Sequence, residues 1–193
     1  MQKQNLKTEH KLIFIMLGAF ITGIISGALY MALSPDDNSL YSYLNSFLES
    51  MSGGVDKFAV FKNSLSDNLK ILLVVTICGF FKFGVLGNIS CCTFKGFVTG
   101  FTTSAFLRYY GSKGLLVPLS STFSTIIFLP IFIIFCAYSS YFSLNCKKRE
   151  KKFTAFFLLF SIICFSIFCV VSFFDGYLTT TFMRLISPIL GQI

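Results

Sequence analysis

The sequence predicts an all-α membrane protein: a polytopic helix bundle of five transmembrane helices, N-terminus cytoplasmic and C-terminus extracytoplasmic, with an amphipathic helical link outside. Three observations predict it. Hydrophobic residues make up 54% of the chain and charged residues only 12%, about half the charge of an ordinary soluble domain, and the mean hydropathy is +0.76. Apolar blocks recur at lengths that cross ~30 Å of hydrocarbon. Basic residues gather at the N-terminus and at 145–152, which the positive-inside rule assigns to the cytoplasm. The 193 residues leave room for little besides the spans, so 1–193 reads as a single integral membrane domain.

The first span, residues 12–33, contains no charge and follows Lys3, Lys7 and Lys11. A basic start before an apolar run resembles a signal peptide, but the run is long and lacks a small-x-small cleavage site, so a retained anchor is expected. The link 34–69 is acidic in balance, with Asp36, Asp37, Glu49, Asp56 and Asp67, and is assigned outside. Within it Leu40, Tyr43, Leu44, Phe47, Leu48 and Met51 recur at spacings of three and four, an amphipathic helix opened by the turn SPDDNS. After the Gly53-Gly54 break, Phe58, Phe61 and Leu65 extend the stripe. Such a face packs on the protein's own helix ends or the bilayer surface, or docks a partner.

The second span, 71–92, is interrupted only by Lys82. The third, 94–110, is less apolar than the rest. At about −0.5 kcal/mol for each Leu, Ile, Phe or Val, it gains roughly −3 kcal/mol against about −7 for 153–174. It is expected to lie enclosed by other helices, where Gly96, Gly100 and its hydroxyl side chains permit close approach. Parity requires it: an even number of crossings must separate the two basic clusters, and dropping 94–110 would leave three. Lys82 and Lys95 are then expected to snorkel to one cytoplasmic surface.

The fourth span, 115–144, carries Pro118 and Pro130 and is expected to bend or break. The fifth, 153–174, is uncharged. Gly23 with Gly27 and Gly96 with Gly100 fit the small-xxx-small pattern and are assigned to helix packing within the chain, with homodimerisation through either pair as the alternative.

Catalytic chemistry is not expected. The single histidine, His10, has no companion ligands, and the seven cysteines lack metal or disulfide spacing. No P-loop, nucleophile elbow or HExxH is present. Of the carboxylates only Asp175 touches a span end. No cofactor or metal is implied. The excess of 16 Lys and Arg over 8 Asp and Glu is read as loops facing anionic lipid, with the bilayer as partner and no nucleic acid.

Across residues 70–142 the order of features resembles the stage II sporulation protein M family: a glycine-containing apolar helix, the element FKGFVTGF, the link YYGSKG, and the proline-bearing FLPIFIIF. Lys95, Gly96, Gly100, Phe101, Gly111, Gly114 and Pro130 match that pattern. Members often have a further proline about seven residues before the one matching Pro130; Phe123 and Ser124 stand there, and the His and Glu that this element can carry are missing. The departure weakens a chemical site in the membrane, not a scaffold role. The resemblance implies a non-enzymatic scaffold of the sporulation engulfment machinery in the mother-cell membrane at the septum. It would anchor two peptidoglycan-degrading partners, the stage II sporulation proteins D and P. Docking residues are assigned to Tyr43, Phe47 and Phe58, and secondarily Arg108 and Lys113. The alternative is a small permease or lipid-handling protein, with Lys82, Ser120, Ser121 and Thr125 lining a polar path.

Overall fold

The computed structural model describes residues 2–35, 38–52, 57–145 and 151–182, with side chains described in those ranges except at 2–9, 50–52, 120–124 and 179. The described residues form helices α1 (Gln2–Leu33), α2 (Asn38–Ser52), α3 (Lys57–Phe80), α4 (Gly84–Gly114), α5 (Leu116–Leu144) and α6 (Lys151–Phe174), the last continued by a π-helical turn, Asp175–Thr179. The helical stretches long and apolar enough to cross a membrane are His10–Leu33, Thr125–Leu144 and Lys151–Phe182.

The most extensive helix pairing among the described residues is between α1 and α4. Buried residues on α4 recur every fourth position as Gly84, Asn88, Cys92, Gly96 and Gly100, a stripe of small side chains that leaves backbone at the surface. A Cβ added to Gly96 would lie 2.2 Å from the Phe20 carbonyl oxygen, and one on Gly100 2.2 Å from that of Ile24. The approach is reciprocal: Cβ atoms on Gly23 and Gly27 would lie 2.2 Å from the carbonyls of Thr93 and Phe97. Both glycine pairs are therefore used against each other within one chain, backbone to backbone. The register also gives direction. Met16 meets Cys92, Phe20 meets Gly96, Ile24 meets Gly100 and Met31 meets Arg108, so α1 and α4 run parallel.

Contacts among the other helices give theirs. Ser139 Oγ donates to the Val75 carbonyl (2.8 Å) and Ser143 Oγ to that of Phe81 (2.5 Å), so α3 and α5 run together. Asn88 donates to Ser140 Oγ (2.9 Å) and Ser139 Oγ (3.0 Å) while Lys95 lies over Phe128, so α4 opposes α5. Phe142 stacks on Phe157 with centroids 4.2 Å apart and Phe128 on Phe168 at 4.6 Å, so α6 also opposes α5. Up-running α1, α4 and α6 thus alternate with down-running α3 and α5. The end of the bundle near Lys82 is filled by Phe135, Phe142 and Phe157, each fully buried.

Three expectations are corrected. The block 71–92 is not one helix: the chain reverses at 81–83, between α3 and α4. Gly84 allows the reversal, since a Cβ there would lie 1.8 Å from the Cys78 carbonyl. Hydropathy reads through it because the turn is Phe81-Lys82-Phe83 and two of its three side chains are apolar. The link 34–69 likewise does not extend to residue 69, because α3 starts at Lys57. Finally, α5 is unbroken from Leu116 to Leu144. Pro118 occupies its first turn, where a missing N–H costs no helical bond, and Pro130 is accommodated inside. The sharp backbone feature lies just before α5: Gly111 at φ 61°, ψ −153°, a conformation essentially confined to glycine. The Gly53-Gly54 break, the SPDDNS aspartates and most of the 145–152 basic link lie outside the described residues.

Gly96→Ala and Gly100→Ala force two backbones apart and are expected to cost about 1–3 kcal/mol each. Gly18→Ala has nothing within 4 Å of the new methyl and is expected to be neutral or slightly stabilising. The buried thiols of Cys92 and Cys136 supply the readout, as a thermal melt followed by a thiol-reactive dye in mild detergent.

Candidate functional site

The half of the bundle toward Gly111 carries two features: a docked amphipathic helix and a cavity with a partly polar lining. The helix is α2. Its Leu44 is buried against Met31, Ala105, Phe106, Tyr110 and Val117, with Leu40, Phe47 and Leu48 packed beside it. Phe47 sits against Phe106, centroids 6.4 Å apart. The Tyr110 hydroxyl donates to Asn45 Oδ1, and Tyr41 lies 5.6 Å from Tyr109. The stripe at spacings of three and four therefore closes onto α4 and α5 of the same chain. The Met51 side chain lies outside the described residues.

This docking divides the residues read as a partner surface. Phe47 faces the protein's own core. Tyr43, at the solvent edge of the α2 stripe, is 68% exposed, and Phe58, near the start of α3, is 65% exposed beside Phe61. Lys113 is exposed next to the Gly111 turn. Arg108 serves the fold itself, since its Nη1 donates to the carbonyls of Met31 (2.6 Å) and Ser34 (2.7 Å). These belong to the end of α1, where carbonyls lack helical donors and the helix dipole is negative, so a guanidinium there both bonds and neutralises. Arg108 locks the last turn of α1 to α4 at the level where α2 begins.

The cavity, about 250 Å³, lies between α1, α3, α4, α5 and α6. Its polar lining is Lys95, Thr99, Thr102 and Thr103 from α4, Asn68 from α3, Thr125 from α5 and Asp175 from the π-helical turn; Phe20, Phe128 and Phe132 close the apolar side. Counted at ~1.5 Å per residue, Lys95 stands about 16 Å along α4 from Gly84 and so near mid-depth. The expectation that it snorkels to the surface of Lys82 is thereby corrected: Lys82 sits exposed in the 81–83 turn, and Lys95 is inside the bundle. The reason is the misplaced helix start, since α4 begins ten residues before the expected span at 94. Lys95 Nζ lies 4.9 Å from the Phe128 ring centroid and has no ion pair among the described residues. A lysine at a helix centre costs about 2.5–3.5 kcal/mol on the insertion scale, and one cation–π contact returns only part of it.

The threonines are satisfied inside α4. Thr99 donates to the Lys95 carbonyl (2.9 Å) and Thr103 to that of Thr99 (2.8 Å), which leaves their oxygens with acceptor capacity only. Asn68 donates to Ser172 Oγ at 3.0 Å, and Ser64 Oγ donates to Asp175 Oδ2 at 3.0 Å. Sequence reading missed this group because Asn68, Lys95 and Asp175 belong to three helices. The fourfold repeat Lys95, Thr99, Thr103 in α4 was the available signal. Of the path residues named from sequence, Thr125 lines the cavity, Lys82 does not, and the side chains of Ser120 and Ser121 lie outside the described residues. Among the described residues no group of three His, Cys, Asp or Glu side chains could hold a metal ion.

Residues 16–180 match the family model described as Stage II sporulation protein M. No curated protein and no solved structure matches the chain.

Arg108→Ala removes two charge-assisted bonds and is expected to destabilise the α1–α2 corner by about 1.5–3 kcal/mol. Limited proteolysis should then cut within 34–56 several-fold faster than in the parent protein, with Arg108→Lys intermediate.

Proposed function

The chain belongs to the stage II sporulation protein M family, and from that premise we propose that it is a non-enzymatic membrane scaffold of engulfment. It holds the peptidoglycan-degrading stage II sporulation proteins D and P at the mother-cell membrane of the septum. The observation that carries this reading is the docked α2: an amphipathic helix whose apolar face is spent on Ala105, Phe106 and Val117 presents its other face as a fixed platform. Rigid presentation lowers the ordering cost of binding a partner. Tyr43, at the exposed edge of the docked α2, and Phe58, at the start of α3, are the aromatic anchors of this reading, with Lys113 at the same end of the bundle.

All five long helices cross the bilayer in this reading. α3 and α4 are the less apolar ones, and their positions between α1, α5 and α6 support it. The alternating helix directions support the arrangement that the basic clusters call for, N-terminus inside and C-terminus outside, with α2 and the Gly111 turn external. A permease is the less favoured reading, because fully buried Phe135, Phe142 and Phe157 fill the Lys82 end of the bundle.

Two measurements test this. Tyr43→Ala with Phe58→Ala is expected to lower recovery of both hydrolases in a pull-down from sporulating cells about tenfold or more, the scale of hot-spot aromatics, with the melt unchanged; unchanged recovery places the docking surface elsewhere. A cysteine at Ser112, on a background without native thiols, should label with an impermeant reagent from outside only. Labelling from the cytoplasm alone would overturn the five-span arrangement.

A further inference from the structure

The scaffold role makes no use of the Lys95 cavity, and nothing in that role requires an ammonium group at mid-depth. We propose that the cavity is a binding site for a phosphate ester that carries a hydroxyl or amine, entering from the Gly111 end. This inference goes beyond the scaffold reading and does not rest on it.

The chemistry of the lining sets the ligand class. Lys95 brings three N–H donors and a positive charge; among the described residues its Nζ lies over the Phe128 ring, 4.9 Å away, and shares the cavity with the Asp175 carboxylate. A phosphate offers anionic oxygens for those donors. Thr99 and Thr103 have spent their protons on their own helix, so toward a ligand they accept. Asp175, on the other wall, accepts from Ser64 and adds a negative charge to the rim. The site is therefore polar in a directional sense: donors and positive charge at the floor, acceptors and negative charge above. A bare anion satisfies only the floor. A phosphate joined to a glycerol or ethanolamine group satisfies both. The volume, about 250 Å³, suits a headgroup or a small phosphorylated polyol and excludes a large substrate, for which sites usually exceed about 300 Å³.

The aperture is set by the fold. Lining residues climb from Lys95 to Thr103 on α4 and include Pro118 at the start of α5 and Asp175 at the end of α6, all toward the Gly111 end. Below Lys95, Phe132 lines the cavity and is fully buried.

The full chain, purified in neutral maltoside detergent, is probed with phosphatidylglycerol and separately with sn-glycerol 3-phosphate, with phosphatidylcholine as the headgroup control. Modification of each lysine by a water-soluble amine reagent is mapped by peptide mass analysis, alongside the thermal melt. The expected result is at least threefold slower modification of Lys95 with one or both anionic probes, Lys82 and Lys113 being unaffected, and a raised melting midpoint that Lys95→Met abolishes. Protection by phosphatidylglycerol alone assigns a lipid headgroup, and protection by glycerol phosphate as well assigns a free phosphate ester. Absence of protection by either anionic probe in the unmodified protein overturns the proposal, as does equal protection by phosphatidylcholine or an undiminished shift in Lys95→Met. Lysine mapping is done on the unmodified protein, so the test stands even if Lys95→Met fails to fold.

Discussion

The backbone contact between α1 and α4 is the constraint from which the rest of the architecture follows. Two helices can approach this closely only where side chains are nearly absent, and the reciprocal use of Gly23, Gly27, Gly96 and Gly100 specifies both partner and register. The pair runs parallel, so the chain must return between them. That return is α3, and α2 bridges the far end before it. Once α1 and α4 lie side by side, α5 must descend from the Gly111 turn and α6 must rise again. In lipid, where apolar surface gives no preference among helices, this contact supplies selectivity that hydropathy does not.

Enclosure explains how α4 carries so many polar groups. Thr93, Thr99, Thr102 and Thr103 bond to carbonyls of their own helix, which removes unsatisfied donors without a neighbour. Asn88 is tied to Ser139 and Ser140 of α5, and Ser139 in turn holds the Val75 carbonyl of α3. This knot joins three helices at the depth where α3 is apolar, and it pins the 81–83 reversal through Ser143. Lys95 shows no such hydrogen bond among the described residues and instead faces Phe128 and the cavity.

Much of the fold was legible, for specific reasons. Uncharged blocks at 12–33 and 153–174 announce helices because a continuous apolar run of about 20 residues satisfies its backbone within one segment only as a helix. The α2 stripe was readable because Leu40, Leu44, Phe47 and Leu48 repeat at helical spacing between polar residues. The half-polar segment after residue 94 was readable as part of a long enclosed helix, although that helix starts at Gly84. What escaped is equally physical. The turn at 81–83 uses Phe where a soluble protein would use polar residues, so composition masks it. Lys95 and Asp175 share a cavity only because α4 and α6 rise together, information held in packing and not in spacing. Arg108 read as a surface cation since its acceptors are main-chain carbonyls, which leave no mark in a sequence.

The two ends of the bundle differ in what holds them. At the Lys82 end aromatic rings interlock: Phe80 against Phe157 at 5.7 Å, Phe142 against Phe157 at 4.2 Å, Tyr138 against Phe160 at 4.8 Å. Packing of that density resists rearrangement. At the Gly111 end the helices separate around hydroxyls and charges, and the lost packing is replaced by clamps: Arg108 on the end of α1, α2 across α4, and Gly176 close against Phe61. A loosely packed end would be free to splay; these clamps prevent it without filling the space between the helices. The same clamps that hold α2 as a platform keep the cavity walls apart, so a change at one would be felt by the other through α4, the helix common to both.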